Sequence, residues 1–274
     1  MINQTLDRIR RLEEYNLEKI SNTSVAIFGA GTLGNMLSLE LAASGFANLT
    51  IVDNQCVAIE NVGRQVLFTL EDVGKLKVEV AREKLLQFFP YMNIEAVNME
   101  IPYLAGAPND LEQRMRAIEG IVKKSDILAL CLDNLDTRRT LTVLGLGQNK
   151  VIVNGGIWKY EGNVEVIRKN SCCTFCHALP PWLMENKGEG KVISGCSVSS
   201  IPAICITASM MAEMILKIVH EGKIGNAIDL VKINLQSMKV YMQQMPKDEN
   251  CYVCSYSGAL GKYKEGDLSW FLQI

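Results

Sequence analysis

Apolar positions along the chain change period several times. Ser24–Phe28 (SVAIF) is a short continuous apolar run, as expected of a strand buried on both faces. It breaks at Gly29-Ala-Gly31-Thr-Leu-Gly34, after which a helical period predicts a helix over Asn35–Ser44. Asn48–Val52 (NLTIV) is the next strand and ends at Asp53. Asp72–Phe89 predicts a helix, with Leu76, Val80, Lys84 and Leu85 on successive turns. A strand at Ile94–Val97, a helix near 110–123, the strand Asp126–Cys131, the helix Leu135–Leu146 and the strand Val151–Asn154 follow. Upstream, residues 5–20 predict a charged helix with an apolar stripe at Leu6, Ile9, Leu12 and Leu17.

Strands that alternate with helices predict a mostly parallel sheet covered on both faces. The texture changes after Asn154. Asn163–Arg168 alternates like an antiparallel strand, and residues 178–195 read as an exposed loop carrying Pro180-Pro181 and Gly188-Glu-Gly190. Pro202–Val219 is an apolar helix rich in Met, Ile and Ala, and Val231–Leu235 with Lys239–Gln243 forms a final hairpin. The fold class expected is therefore α/β, a Rossmann-like doubly wound, mostly parallel sheet with C-terminal antiparallel strands. With no linker or repeat, one domain over 1–274 is the simplest organisation: an N-terminal helix in 1–20, a first half in 21–154 that carries the glycine turn and a second half in 155–274.

Composition narrows the function classes. Charged residues make up 21% and apolar residues 48%, an ordinary globular mix, and the formal net charge is −2. No basic field attracts nucleic acid, so no nucleic-acid partner is expected. No uninterrupted run of 18 apolar residues suggests a membrane span, and the charged N-terminus does not resemble a signal peptide. Nine cysteines then fit a reducing cytoplasm.

The Gly29–Gly34 turn sits between a strand and a helix, the context in which such glycines let backbone approach a phosphate at a helix N-terminus. Asp53 ends the second strand, where ribose hydroxyls would be held. A ligand-free strand–helix turn is the plain alternative. More polar residues gather nearby in sequence or at a strand end: Asn61, Arg64, Lys77, and Asp133-Asn134 just past the third apolar strand. Singly, each reads as solvated surface. Jointly, they suit a triphosphate with Mg2+ better than a dinucleotide.

Two Cys-x-x-Cys motifs, Cys173/Cys176 and Cys251/Cys254, lie roughly 75 residues apart. Four thiolates close a tetrahedral structural Zn2+ site that would staple the C-terminal segment in place. Cys172 and His177 flank the first pair as competing ligands. Free core thiols or a redox dithiol are the alternative.

In order and spacing, these motifs resemble the ThiF/MoeB/HesA superfamily, which includes the ubiquitin-activating enzymes. GAGTLG, Asp53, Asn61-Val-Gly-Arg64-Gln65, Lys77-Val-Glu79, Asp133-Asn134 and both CxxC pairs carry the resemblance over residues 20–254. It implies ATP-dependent adenylation of a C-terminal carboxylate, usually the Gly-Gly end of a ubiquitin-like or sulfur-carrier protein. It further implies that Gly29, Gly31, Gly34 and Asp53 hold the nucleotide, that Asn61, Arg64 and Lys77 contact phosphates, and that Asp133 binds Mg2+ with Asn134 adjacent. The second half then becomes the carrier-binding, crossover-loop and zinc half. Two departures stand out. Thr32 replaces the family's middle glycine, where it could cap the helix. DRIRRLEEYN stands where the family carries R-x-x-R-Q, so Arg8, Arg10 or Arg11 would have to substitute.

Gly195-Cys196-Ser-Val-Ser-Ser-Ile-Pro202 resembles the segment whose cysteine takes the acyl group as a thioester. A thiolate at a helix start suits that step, and a small apolar loop residue is the other reading. A homodimer and a downstream conjugating enzyme are further implied partners. The rival functions are adenylation of a peptide or tRNA-linked carboxylate, an NAD-dependent dehydrogenase, and a non-catalytic subunit of a heterodimer. The dehydrogenase leaves Arg64, Lys77, Asp133 and the cysteine pairs without a role. Intact Arg64, Lys77 and Asp133 argue against the non-catalytic subunit.

Overall fold

The computed structural model describes residues 6–12, 15–102, 110–177, 198–221 and 229–266. Its frame is an eight-stranded sheet in the order β3-β2-β1-β4-β5-β6-β7-β8. The strands are β1 (Ser24–Phe28), β2 (Asn48–Asp53), β3 (Asn93–Asn98), β4 (Ile127–Leu130), β5 (Val151–Trp158), β6 (Glu161–Ile167), β7 (Leu230–Asn234) and β8 (Lys239–Gln243). The first five pair in parallel. From β5 onward every pairing is antiparallel. The expected fold class is thus what the chain adopts. β5 runs four residues past the expected Asn154, because Gly155 to Trp158 pair with β6.

The helices are α1 (Leu17–Asn22), α2 (Thr32–Ala43), α3 (Lys77–Phe88), α4 (Leu111–Lys124), α5 (Leu135–Gly147), α6 (Ile201–Glu221) and α7 (Ala259–Lys264). Alternation along β1 sorts the two layers. Val25 and Ile27 join a core with Leu37 and Leu41 of α2, Leu85 of α3 and Met211 and Ile215 of α6. Ala26 and Phe28 join a second core with Ile118 of α4, Leu141 and Leu144 of α5 and the cysteine-bearing segments. By length and composition α6 could cross a bilayer, but it packs instead against α2, β5 and β6. At about 25 cal/mol per Å2 of apolar area removed from water, that packing is a large stabilising contribution.

Three expectations need correction. The single helix over 5–20 is instead a 3-10 turn at Ile9–Arg11 followed by α1. Leu12 is extended, and the Asn16 side chain accepts from Lys19 N at 3.0 Å, starting a new helix. Leu12 is 61% exposed, so it is no part of a buried stripe. The helix expected from Asp72 begins only at Lys77. The Asp72 carboxylate closes a 3-10 turn by accepting from Thr69 N and Oγ1 at 3.0 and 2.8 Å, and Leu76 bridges to Cys56 as extended chain. Finally, α2 begins at Thr32 with Gly31 as its N-cap, so Thr32 is the first helical residue and not the cap.

Candidate functional site

The parallel strands reverse their winding between β1 and β4, where open α/β sheets place ligands beyond the strand C-termini. A cavity of about 700 Å3 opens at that point, within the range of small-molecule sites. Its wall includes Gly29, Gly31, Asp53, Gln55, Arg64, Asp133, Asn134 and Arg138.

Each glycine of the turn does different work. Gly29 has φ +99°, and a Cβ there would stand 2.6 Å from the Cys131 carbonyl oxygen. A Cβ at Gly34 would stand 1.8 Å from the Gly29 carbonyl oxygen, so its bare Cα lets α2 close on the turn. A Cβ at Gly31 would meet nothing within 4 Å. Packing therefore does not require this last glycine. It leaves a bare approach to the N-terminus of α2, where the N-cap Gly31 has no side chain to cap the helix, and an anionic group fits that cradle. Asp53 braces the turn by accepting from Ala30 N and Gln55 N, both at 2.7 Å.

Arg64 reaches the cavity and has no ion-pair partner among the described residues. Asp133 is exposed on the rim. Asn134 also lines the cavity while capping α5, its Oδ1 accepting from Asp136 N and Thr137 N at 2.8 and 3.2 Å. Asn61 and Lys77 stand behind the wall. Asn61 is buried and accepts from Ala58 N at 2.9 Å. Lys77 is 4% exposed, and its Nζ donates to Gln55 Oε1 at 2.7 Å.

Arg138 belongs to the same polar run as Asp133 and Asn134, but the sequence gives it no role of its own. Its guanidinium donates to Asn154 Oδ1, to the Leu132 carbonyl and, at 2.8 Å, to the Gly155 carbonyl. Burial pulls its pKa down, while burial pushes the adjacent Cys131 thiol up to about 12. Cys131 is thus a neutral wall residue. Asn154 Nδ2 continues the chain of bonds to Glu165 at 2.7 Å and to Thr174 Oγ1 at 3.0 Å. Thr174 lies inside the first cysteine pair, so that pair is tied to the cavity wall. A second cavity of about 480 Å3 adjoins the first and shares Trp158, Asn163 and Thr174 with it.

The four sulfurs of Cys173, Cys176, Cys251 and Cys254 are buried and lie within 4.8 Å of one another. Three of the pairs stand at 3.8, 3.9 and 3.5 Å. A tetrahedral Zn2+ with Zn–S bonds near 2.3 Å needs S–S edges of about 3.8 Å, so the donor set fits zinc. The flanking competitors are turned elsewhere: Cys172 Sγ bonds the Cys173 carbonyl at 3.3 Å, and exposed His177 donates to the Pro246 carbonyl at 2.8 Å. Cys196 and Arg10's side chain lie outside the described residues. Arg8 is exposed, and Arg11 pairs with Asp7 at 2.5 Å.

The sequence pattern of the ThiF family matches residues 3–253. The ubiquitin-like modifier-activating enzyme ATG7 of Saccharomyces cerevisiae is 28% identical over 273 residues, covering 93% of this chain and 43% of ATG7. A probable molybdopterin-synthase adenylyltransferase of Porphyra purpurea is 33% identical over 147 residues, or 54% of this chain and 35% of that protein. The chain thus spans less than half the length of these relatives. Among solved structures, E. coli MccB with ATP superposes with a TM-score of 0.71 at 22% identity, covering 87% of this chain and 68% of that one.

Proposed function

This chain belongs to the ThiF family, and from that premise we propose that it uses ATP to adenylate the C-terminal carboxylate of a ubiquitin-like or sulfur-carrier protein. The observation that carries the reading is the cavity at the β1/β4 switch point. It joins a bare helix N-terminus at Gly31, an Arg64 with no ion-pair partner among the described residues, and a rim carboxylate at Asp133. Positive groups without carboxylate partners suit a polyphosphate, and an exposed Asp suits the Mg2+ that accompanies it. A dinucleotide dehydrogenase gives these groups nothing to do.

In the proposed step a carboxylate oxygen attacks the α-phosphorus of ATP. A P–O bond forms to the carboxylate, the bond to the bridging oxygen of the β-phosphate breaks, and pyrophosphate leaves with that electron pair. The attacking carboxylate is already ionised, so no general base is needed. The site has to align the attack and offset the charge that develops on the phosphates. Gly29, Gly31, Gly34 and Asp53 would hold the nucleotide, Arg64 would face phosphates with Lys77 and Asn61 acting from behind the wall, and Asp133 beside Asn134 would hold Mg2+. The adjoining cavity past Trp158 offers the acyl tail a route in. The cysteine cluster would hold Zn2+ as a structural centre, with no open position for chemistry.

A thioester on Cys196 is the second step we propose. Its thiolate would attack the adenylate carbonyl and release AMP. A homodimer, a downstream conjugating enzyme and a reducing cytoplasmic setting complete the reading. Pyrophosphate–ATP exchange that depends on an added Gly-Gly carrier tests it, and Asp133→Ala should abolish that exchange. Tight NADH binding with no response to ATP would overturn the reading. Exchange at the wild-type rate in Asp133→Ala would remove the Mg2+ assignment. Cys196→Ala should still exchange but form no reducible conjugate.

A further inference from the structure

We propose that Gln55 is a positioning residue for Lys77, and that its neutral amide keeps the Lys77 charge available to the phosphates of ATP. The inference rests on the ATP reading above. Lys77 is almost fully buried, yet it has no ion-pair partner among the described residues. Among the described residues its one side-chain bond is the 2.7 Å contact from Nζ to Gln55 Oε1. A buried ammonium normally sits beside a carboxylate, because burial strips its hydration and an opposite charge offsets the loss. Among the described residues only an amide dipole faces it, and a bound anion would compensate its charge.

Gln55 is the residue that stands between Lys77 and the cavity. It lines the cavity, whereas Lys77 does not. Its backbone is fixed at both ends: its N–H donates to Asp53 Oδ1 at 2.7 Å, and its carbonyl accepts from Lys77 N at 2.9 Å. One residue therefore ties the brace of the glycine turn to the first residue of α3. The orientation of the amide is also settled chemically. An ammonium can only donate, so it must face Oε1, which leaves Nε2 as the free end of the amide. Nε2 has no hydrogen-bond partner among the described residues. A phosphate oxygen in the cavity would then meet the positive field of the ammonium that Gln55 Oε1 holds in place behind the wall. A carboxylate at position 55 would neutralise Lys77 and repel the same phosphate.

The test is calorimetric titration of the full chain with Mg–ATP and, separately, with adenosine. Five proteins are compared: wild type, Gln55→Ala, Gln55→Glu, Lys77→Met and the Gln55→Ala/Lys77→Met double variant. Gln55→Ala should weaken ATP roughly fivefold and Gln55→Glu roughly tenfold, while adenosine stays within about twofold in both. In the Lys77→Met background, Gln55→Ala should change ATP affinity by less than about twofold, because it acts through a group no longer present. Gln55 is exposed, and its variants should melt with the wild type. Wild-type ATP affinity in both Gln55 variants would overturn the inference and leave the ATP reading standing. So would an equal fivefold loss in the Lys77→Met background. No ATP binding by the wild type would overturn both.

Discussion

Gly31 and Gly34 lie three residues apart on one turn, and alanine at the two positions should separate binding from stability. At Gly34 the new Cβ would stand 1.8 Å from the Gly29 carbonyl oxygen and 3.3 Å from the Cys131 Cβ. Both neighbours sit in the tightest part of the switch point, so α2 must lift from the turn by more than about 1 Å to relieve the contact. Overpacking of this kind costs roughly 1–3 kcal/mol, and the contact with backbone argues for the upper end. Better helix propensity for Ala over Gly returns about 1 kcal/mol. A net loss near 2 kcal/mol lowers the thermal midpoint of a chain this size by roughly 3–5 °C. At Gly31 the backbone has φ −71° and ψ −160°, open to any residue, and the Cβ meets nothing within 4 Å. Gly31→Ala should therefore unfold within about 0.5 kcal/mol of the wild type, yet lose ATP affinity about tenfold because the methyl group occupies the phosphate approach. Urea unfolding and ATP titration on the same preparations measure both quantities. Wild-type ATP affinity in Gly31→Ala would show that phosphate does not approach there. Wild-type stability in Gly34→Ala would show that the turn yields freely and that the close approach is not structural.

The purified chain should carry about one Zn2+, and Cys254→Ser or a strong chelator should remove it and lower the thermal midpoint by roughly 10 °C or more; metal analysis finding none in carefully handled protein would refute the site. Acid stability should depend on Asp72. Burial alone would raise its pKa, but the hydrogen bonds from Lys75 and Thr69 outweigh burial and hold the carboxylate well below its usual range. A depressed folded pKa stabilises above the unfolded value of about 3.9 and loses that contribution as pH falls below it. Asp72→Asn should therefore flatten the decline in urea midpoint below about pH 4, and an unchanged decline would refute the assignment.

The parallel half of the sheet was legible because each buried strand is a short apolar run bounded by Gly or Asp, as at Ser24–Phe28 and Asn48–Asp53. The glycine turn was legible for the same local reason. What escaped depended on partners distant in sequence. β5 continues to Trp158 only because β6 pairs with it. The helix expected from Asp72 is delayed because its carboxylate bonds backward to Thr69 rather than forward into a helix. α7 is six residues long and contains Gly261, too short for a periodic signal. Gln55 gave one available hint, its place two residues past Asp53 at a strand end, but glutamine on a surface is ordinary. Its link to Lys77 spans 22 residues and appears only once Cys56 and Leu76 are paired. Between Cys173 and its neighbours, sequence could rank the ligands only by symmetry of form. The bonds of Cys172 and His177 to carbonyls leave the four converging sulfurs as the set that fits zinc.

The two halves of the cysteine cluster are separated by 78 residues, and this imposes an order on synthesis. At roughly 5–20 residues per second, Cys173 and Cys176 leave the ribosome about 4–16 s before Cys251 and Cys254 do. During that interval the nascent chain presents a lone dithiol, which binds metal less tightly than four thiolates and is open to oxidation. α6, β7 and β8 are made within the same interval, so they can dock before the ring closes. Metal capture thus becomes a late event that seals a sheet already assembled, and loading during translation should be sensitive to how long the first pair waits.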